Sequence, residues 1–217
     1  MGERYNVTSV ASRFSRLYID PNRPRDSSTL FRDTADGAPI LLSTGKLLRQ
    51  SLRLTITFLI GLSAQAREKR INLCYKPFHE QLCKVNIQEE PDLILSIHSF
   101  TPNYEGQTRK VEIGVLYQDD ELLAQKFNEF FVGANYISRL NEPWSGKEGF
   151  MYSADQHSKR SFENLYEGIP KGKKRSAAIM LEMRQDLIVD APWRRRVVEL
   201  VEQFLKRNDV IELIINK

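Results

Sequence analysis

The chain has 217 residues, 41% hydrophobic and 28% charged, the makeup of a soluble globular protein large enough for one sizeable core, which sets disorder and membrane spans aside. Its net charge of +4 comes from 32 basic against 28 acidic residues spread along the chain, so no nucleic-acid partner is demanded; binding through Lys171 to Arg175 or Arg194 to Arg196 is the remote alternative. Two cysteines, Cys74 and Cys83, make no disulfide framework, and the N-terminus shows neither an apolar leader nor a myristoylation signal, so a reducing, cytoplasmic location is expected.

In chain order, Phe14 to Ile19 is β-prone, and Asp20 to Asp36, rich in Pro, Asp, Ser and Arg, reads as an exposed irregular loop. Leu47 to Arg70 reads as mostly helical, and its apolar run, Leu52 to Leu62, is too short to cross a bilayer. A helix follows over Pro77 to Val85, with proline in its first turn. Asp92 to Ile97 predicts a strand ending at His98, and Val111 to Tyr117 a second one. The apolar spacing in Asp119 to Phe131 predicts a helix, Ala134 to Leu140 leads into a turn over Asn141 to Gly149, and Ala177 to Leu181 predicts a strand ending at Glu182. A last helix spans Ala191 to Lys206. Strands alternating with helices give an α/β sandwich in a single domain, with no internal repeat.

Four polar clusters are not required by packing: Asp20-Pro21-Asn22-Arg23, Ser96 to Phe100, Asn141 to Gly146 and Glu182 to Asp186. His98 and Glu182 stand where buried strands emerge, the usual ligand end of an α/β sheet. His98 is either a hydrogen-bonded core residue or a metal ligand. Its neighbours Ser96, Ser99 and Thr101-Pro102-Asn103 suit a ligand loop. Glu182, against apolar walls that would raise its pKa, is either a base or the ion-pair partner of Arg184. Asn22-Arg23 is either a solvated turn or a clamp for a substrate carboxylate. His79 and Cys83, four apart on one helix, read as packing because no third metal ligand is evident. No serine or cysteine nucleophile motif, H-E-x-x-H, G-x-G-x-x-G or Walker sequence is present.

Eight ordered blocks, S-R-L-Y-I-D-P-N-R-P (15 to 24), D-G-A-P-I (36 to 40), Y-K-P-F-H-E-Q-L (75 to 82), I-H-S-F-T-P (97 to 102), E-I-G-V-L-Y (112 to 117), N-E-P-W-S-G-K-E-G-F-M-Y (141 to 152), His157 and L-E-M-R-Q-D-L-I (181 to 188), resemble the N-formylglutamate amidohydrolase family over nearly the whole chain. That resemblance implies a three-layer α/β/α sandwich around a mixed, mostly parallel sheet, akin to zinc exopeptidases and aspartoacylase-like enzymes. The implied activity is zinc-dependent hydrolysis of the amide of a small, anionic N-formyl or N-acyl amino acid. His98 resembles the metal histidine, Glu182 the base, and Asn22 with Arg23 the carboxylate clamp. Asn141, Ser145 and Gly146 resemble a substrate-side loop, while His157 and Arg184 match motif positions without an assigned role; Arg184 is counted with the substrate-binding set.

Three departures stand beside the resemblance. The family's early histidine-containing metal segment has no counterpart here, which leaves two metal ligands missing where a catalytic zinc needs about three. Leu47 to Leu62 matches the family poorly, and Arg160 to Arg175 is a basic insertion. The expectation is therefore a fragment of an active enzyme, a shortened member or a chain with unrecognised ligands. The alternative function is that of a metal-free, catalytically inactive binding or interaction protein.

Overall fold

The computed structural model describes residues 7–40, 62–159 and 175–216. The readings of Leu47 to Gly61 and of Arg160 to Lys174 lie outside the described residues. The chain packs as two compact units, residues 11–79 and residues 80–217 with 1–10.

In the first unit, strands β1 (Thr34–Ala35) and β2 (Ala38–Pro39) form a hairpin. Its two turn residues, Asp36 and Gly37, both have positive φ, at 50° and 71°, which matches the twist of a tight hairpin and suits glycine at the second position. Helix α1 (Ala64–Arg70) starts at Ser63, whose hydroxyl accepts the Ala66 amide at 3.2 Å. A π-helical turn, Ile71–Tyr75, follows and closes with the Lys76 amide donating to the Ile71 carbonyl, and helix α2 (Lys76–Glu89) continues from it. A separate helix beginning at Pro77 was expected; the helical path instead runs on from Ala64. Proline's missing N–H and its ring clash with the carbonyl four residues back are accommodated by the wider turn just before it.

Phe14 to Ile19 is not the expected strand. The Tyr18 amide donates back to the Ser15 carbonyl at 2.9 Å, forming a turn that delivers Ile19 into a cluster with Leu30, Phe31, Ile71 and Tyr75. The segment from Asp20 to Asp36 is irregular as expected, but it is not exposed throughout: Asp20, Asn22, Arg23, Leu30 and Phe31 are buried. Burial is tolerated because the polar groups are bonded locally, with the Asp20 carboxylate accepting the Asn22 amide at 3.0 Å and Arg16 at 2.7 Å.

The second unit is built on a four-stranded sheet in the order β3 (Leu93–Phe100), β8 (Ala177–Arg184), β6 (Ile113–Leu116), β7 (Ser138–Leu140). β3 runs parallel to β8 and β6 parallel to β7, while β6 and β8 are antiparallel, so the sheet is mixed and mostly parallel. Period-two alternation divides its residues between two layers. Ile113, Val115, Ala177, Ile179 and Leu181 pack under helices α3 (Glu121–Gly133), α6 (Ala191–Leu205) and α7 (Asn208–Ile215), through Phe127, Phe131, Leu200, Val201, Phe204 and Val210. α6 starts as its sequence suggests, with Asp190 accepting the Trp193 amide at 3.1 Å and proline in the first turn. Ile94, Leu116, Ala178 and Met180 face the other way, against Trp144, Phe150, Met151 and Ala154, the last on helix α4 (Tyr152–Ser158). The result is the α/β/α layering expected from the sequence. A short hairpin, β4 (Asn103–Tyr104) with β5 (Gln107–Thr108), follows β3, and helix α5 (Gln185–Ile188) follows β8.

The buried Asp120 ties the β6–α3 connection to the sheet, accepting the Ala178 amide at 2.7 Å and the Arg175 guanidinium. Burial works against the charge of Lys159, but hydrogen bonds from its ammonium to Asp119 and Asp155 outweigh it and raise its pKa. No described helix is long and apolar enough to cross a membrane.

Candidate active site

His98 and Glu182 are partners in the β3–β8 ladder. In parallel register, opposed residues lie on the same face of neighbouring strands about 4.8 Å apart. Alternation from Ile94 and Met180 places both side chains on the sheet face that packs against Trp144 and Met151. Neither ends its strand as expected: β3 continues to Phe100 and β8 to Arg184, because the ladder between them runs for eight pairs. Glu182 is 5% exposed and His98 half-buried, so a carboxylate lies in an apolar setting beside a reachable imidazole.

On its other side Glu182 pairs with Gly114 of β6. A Cβ at Gly114 would stand 1.9 Å from the Glu142 carbonyl oxygen, so only glycine lets the following loop cross the sheet there. That loop contains the sequence-predicted cluster. Asn141, at φ 51°, accepts the Tyr117 amide at 3.1 Å and the Gly146 amide at 3.0 Å through its side-chain oxygen. Ser145 begins a 3-10 turn, Gly146–Glu148, and its carbonyl accepts the Glu148 amide at 3.1 Å. Gly146 lies so close to the Tyr117 backbone that a Cβ would meet its carbonyl oxygen at 2.4 Å. Asn141 thus braces the loop through backbone bonds. Arg184 is bonded through Nε to Asp186 at 2.8 Å and through Nη1 to the carbonyls of Arg109 and Lys110, and the Arg184 contact holds the Asp186 carboxyl below its ordinary pKa. Asp186 is therefore the carboxylate that the structure gives to Arg184.

In the other unit Arg23 donates through Nη1 to the Asn22 carbonyl at 2.8 Å, and the Tyr75 hydroxyl donates to the Arg23 carbonyl at 2.9 Å. The Asn22-Arg23 turn is thus built into a core, not solvated.

The three histidines have separate surroundings. His79 is fully buried, with Nε2 3.0 Å from the Pro21 carbonyl and its ring 4.3 Å from that of Tyr75. Facing a carbonyl, Nε2 must be the protonated nitrogen. His157, on α4, has Nδ1 3.7 Å from the Cys83 thiol, and its carbonyl accepts from Asn86 at 2.6 Å. Among the described residues no three His, Cys, Asp or Glu side chains are grouped to hold a metal. His98 with Glu182 supplies two donors where a catalytic zinc takes about three, so the described residues do not fit a complete zinc site.

Burial lowers the His79 pKa to about 4, against a smaller upward pull from the Pro21 carbonyl. The folded chain therefore stays neutral there while the unfolded chain takes up a proton below about 6.5, and stability is lost as pH falls from about 6.5 towards 4. The expected loss from this one group is about 3 kcal/mol. Urea unfolding at pH 7 and pH 4.5 checks it, with a shallower pH dependence expected for His79→Gln.

One residue that sequence reasoning passed over is Arg109. Its guanidinium lies 4.5 Å from the ring centre of Trp144, 4.9 Å from Tyr104 and 5.8 Å from Phe100. Trp144 is itself stacked on Phe150 at 5.1 Å. These rings come from β3, β4 and the Asn141 loop, so no local spacing could have disclosed the cage.

A mixed sheet between helical layers, with an imidazole and a buried carboxylate paired on adjacent parallel strands, defines an α/β protein with a candidate site on one sheet face. The chain matches the N-formylglutamate amidohydrolase family over residues 2–189 and belongs to it. Its structure is similar to that of gene product Atu2144 from Agrobacterium tumefaciens, with a TM-score of 0.71 and 24% identity, covering 93% of this chain and 69% of that one. It is also similar to N-formylglutamate amidohydrolase from Ralstonia eutropha JMP134, with a TM-score of 0.50 and 16% identity, covering 88% of this chain and 72% of that one. No curated protein matched the chain.

Proposed function

We propose that this protein hydrolyses the amide bond of a small N-formyl or N-acyl amino acid, with Glu182 as the proton-accepting base. The observation that carries this reading is the His98–Glu182 pair on one sheet face, in a chain that belongs to an amidohydrolase family. A carboxylate so placed can take a proton from an attacking water and return it to the departing amine, while the neighbouring imidazole holds the water or the carbonyl oxygen. His98 is the residue that would contact a zinc ion, which when bound would polarise the carbonyl, but the metal needs donors beyond these two. In the other unit, Asn22 and Arg23 are the residues that the resemblance gives to the substrate carboxylate. Asn141, Ser145 and Gly146 form the substrate-side loop in this reading, with Asn141 shaping it. A cytoplasmic location belongs to the same proposal.

The two-donor set favours a second reading, a family member that binds such ligands without turnover. One experiment separates the two: release of formate or acyl acid from N-formyl-L-glutamate and related compounds, with zinc per chain measured before and after zinc addition. Turnover that disappears in Glu182→Gln supports the hydrolase. Saturable binding without turnover at any zinc loading supports the second reading.

A further inference from the structure

We propose that a cleft between α3 and α6 is a second binding site, for a small organic bisphosphate of the sugar-bisphosphate kind. It is separate from the His98–Glu182 pair, because α3 and α6 cover the opposite face of the sheet, and it does not rest on the hydrolase reading.

The cleft has a volume of about 500 Å³, within the range of small-ligand sites. Lys126, Glu129, Phe130 and the Gly133–Ala134 end of α3 line one side, with Arg196 and Arg207 across from them. Lys126, Glu129, Phe130 and Gly133 recur at helical spacing, so they form one stripe of α3, on the order of 10 Å long by helical rise. α6 runs back along this stripe. Phe204, near its C-terminus, meets Phe127 at 3.8 Å and Phe130 at 5.5 Å, whereas Trp193, near its N-terminus, meets Tyr136 just past the end of α3 at 5.8 Å.

The cations therefore stand at the two ends of the cleft. At one end Lys126 Nζ and Arg207 Nε both donate to Asp209, at 2.8 Å and 3.1 Å, and the Arg207 guanidinium lies 5.9 Å from the Phe130 ring centre. Asp209 lies outside the lining, so one carboxylate holds two cations and leaves a net positive charge at this end. At the other end is Arg196; burial raises the pKa of the neighbouring Tyr136 and the Arg196 charge works against it. The ion pair of Arg196 with Glu199 is long, at 3.5 Å, and exposed on both sides, so it holds the guanidinium only weakly.

Between the ends the lining changes character. Glu129 presents an exposed carboxylate, Phe130 a ring, and nothing stands within 4 Å of the place a Cβ would take at Gly133. A carboxylate accepts hydrogen bonds from hydroxyls and repels a continuous run of phosphates, while the ring suits the C–H face of a sugar. Phosphate at each end answers the guanidinium at one and the Lys126–Arg207 pair at the other.

The test is calorimetric titration of the full chain with fructose 1,6-bisphosphate, fructose 6-phosphate and inorganic phosphate, repeated on Arg196→Gln and Lys126→Gln with thermal melts as a fold control. The unaltered chain is expected to bind the bisphosphate saturably and at least about tenfold more tightly than either other anion, the weight of one charge-assisted contact. Each variant should bring the bisphosphate down to the affinity of the monophosphate. No saturable binding of the bisphosphate, equal affinity for the three anions, or unchanged bisphosphate affinity in a variant that melts normally would overturn the proposal. Lys126→Gln removes a tie between α3 and α7; if it melts early, Arg196→Gln, at an exposed position, decides by the same criterion.

Discussion

Glu182→Gln is expected to lower turnover of an N-acyl amino acid by at least about 10²-fold while leaving ligand affinity nearly unchanged. The substitution keeps the shape and hydrogen-bonding reach of the side chain but removes its capacity to accept a proton. Glu182 sits in the second strand of the sheet, paired with His98 on one side and Gly114 on the other, so its backbone is held by two ladders and the variant should fold. Single-turnover rates and equilibrium binding, measured on the same preparation, separate chemistry from affinity. An unchanged rate would remove Glu182 from the mechanism. An equal loss of binding would make it a binding residue.

Gly114→Ala should be the most damaging conservative change near the site. Its new methyl would be driven into the Glu142 carbonyl oxygen, a backbone atom that cannot rotate away. Either β6 shifts from β8 or the Asn141–Gly146 loop lifts off the sheet. Overpacking of this kind costs about 3 kcal/mol, corresponding to roughly 6–12 °C in Tm for a chain of this length. The loop also carries Trp144, so the cage around Arg109 should loosen with it. Differential scanning calorimetry reads the first effect, and quenching of tryptophan fluorescence by iodide the second. A wild-type Tm in this variant would mean that the crossing is not as tight as the geometry requires.

Strand composition made β3, β6 and β8 legible because Leu93 to Ile97, Val111 to Tyr117 and Ala177 to Leu181 are apolar over a strand's length. Their ends were less legible. His98 and Glu182 are polar, which reads as a strand terminus, yet an eight-pair parallel ladder carries both strands past them. The β-prone run at Phe14 failed for the opposite reason, since among the described residues no strand pairs with it and a local turn at Ser15 takes the Tyr18 and Ile19 amides. Buried polar residues were also misread. Asp20, Asn22 and Arg23 look like a surface turn by composition, and only their local hydrogen bonds make burial affordable.

Sequence by itself determined the α/β class, the succession of the main elements and the family, and it singled out His98, Glu182 and the Asn141 block as candidates, because hydrophobic periodicity and short ordered motifs are local properties. Tertiary structure alone decided that His98 and Glu182 face each other across a parallel ladder, that Gly114 opens the path for the Asn141 loop, and that Phe100, Tyr104 and Trp144 enclose Arg109. Strand register and the meeting of rings from distant segments depend on how the elements pack, and no spacing along the chain encodes them.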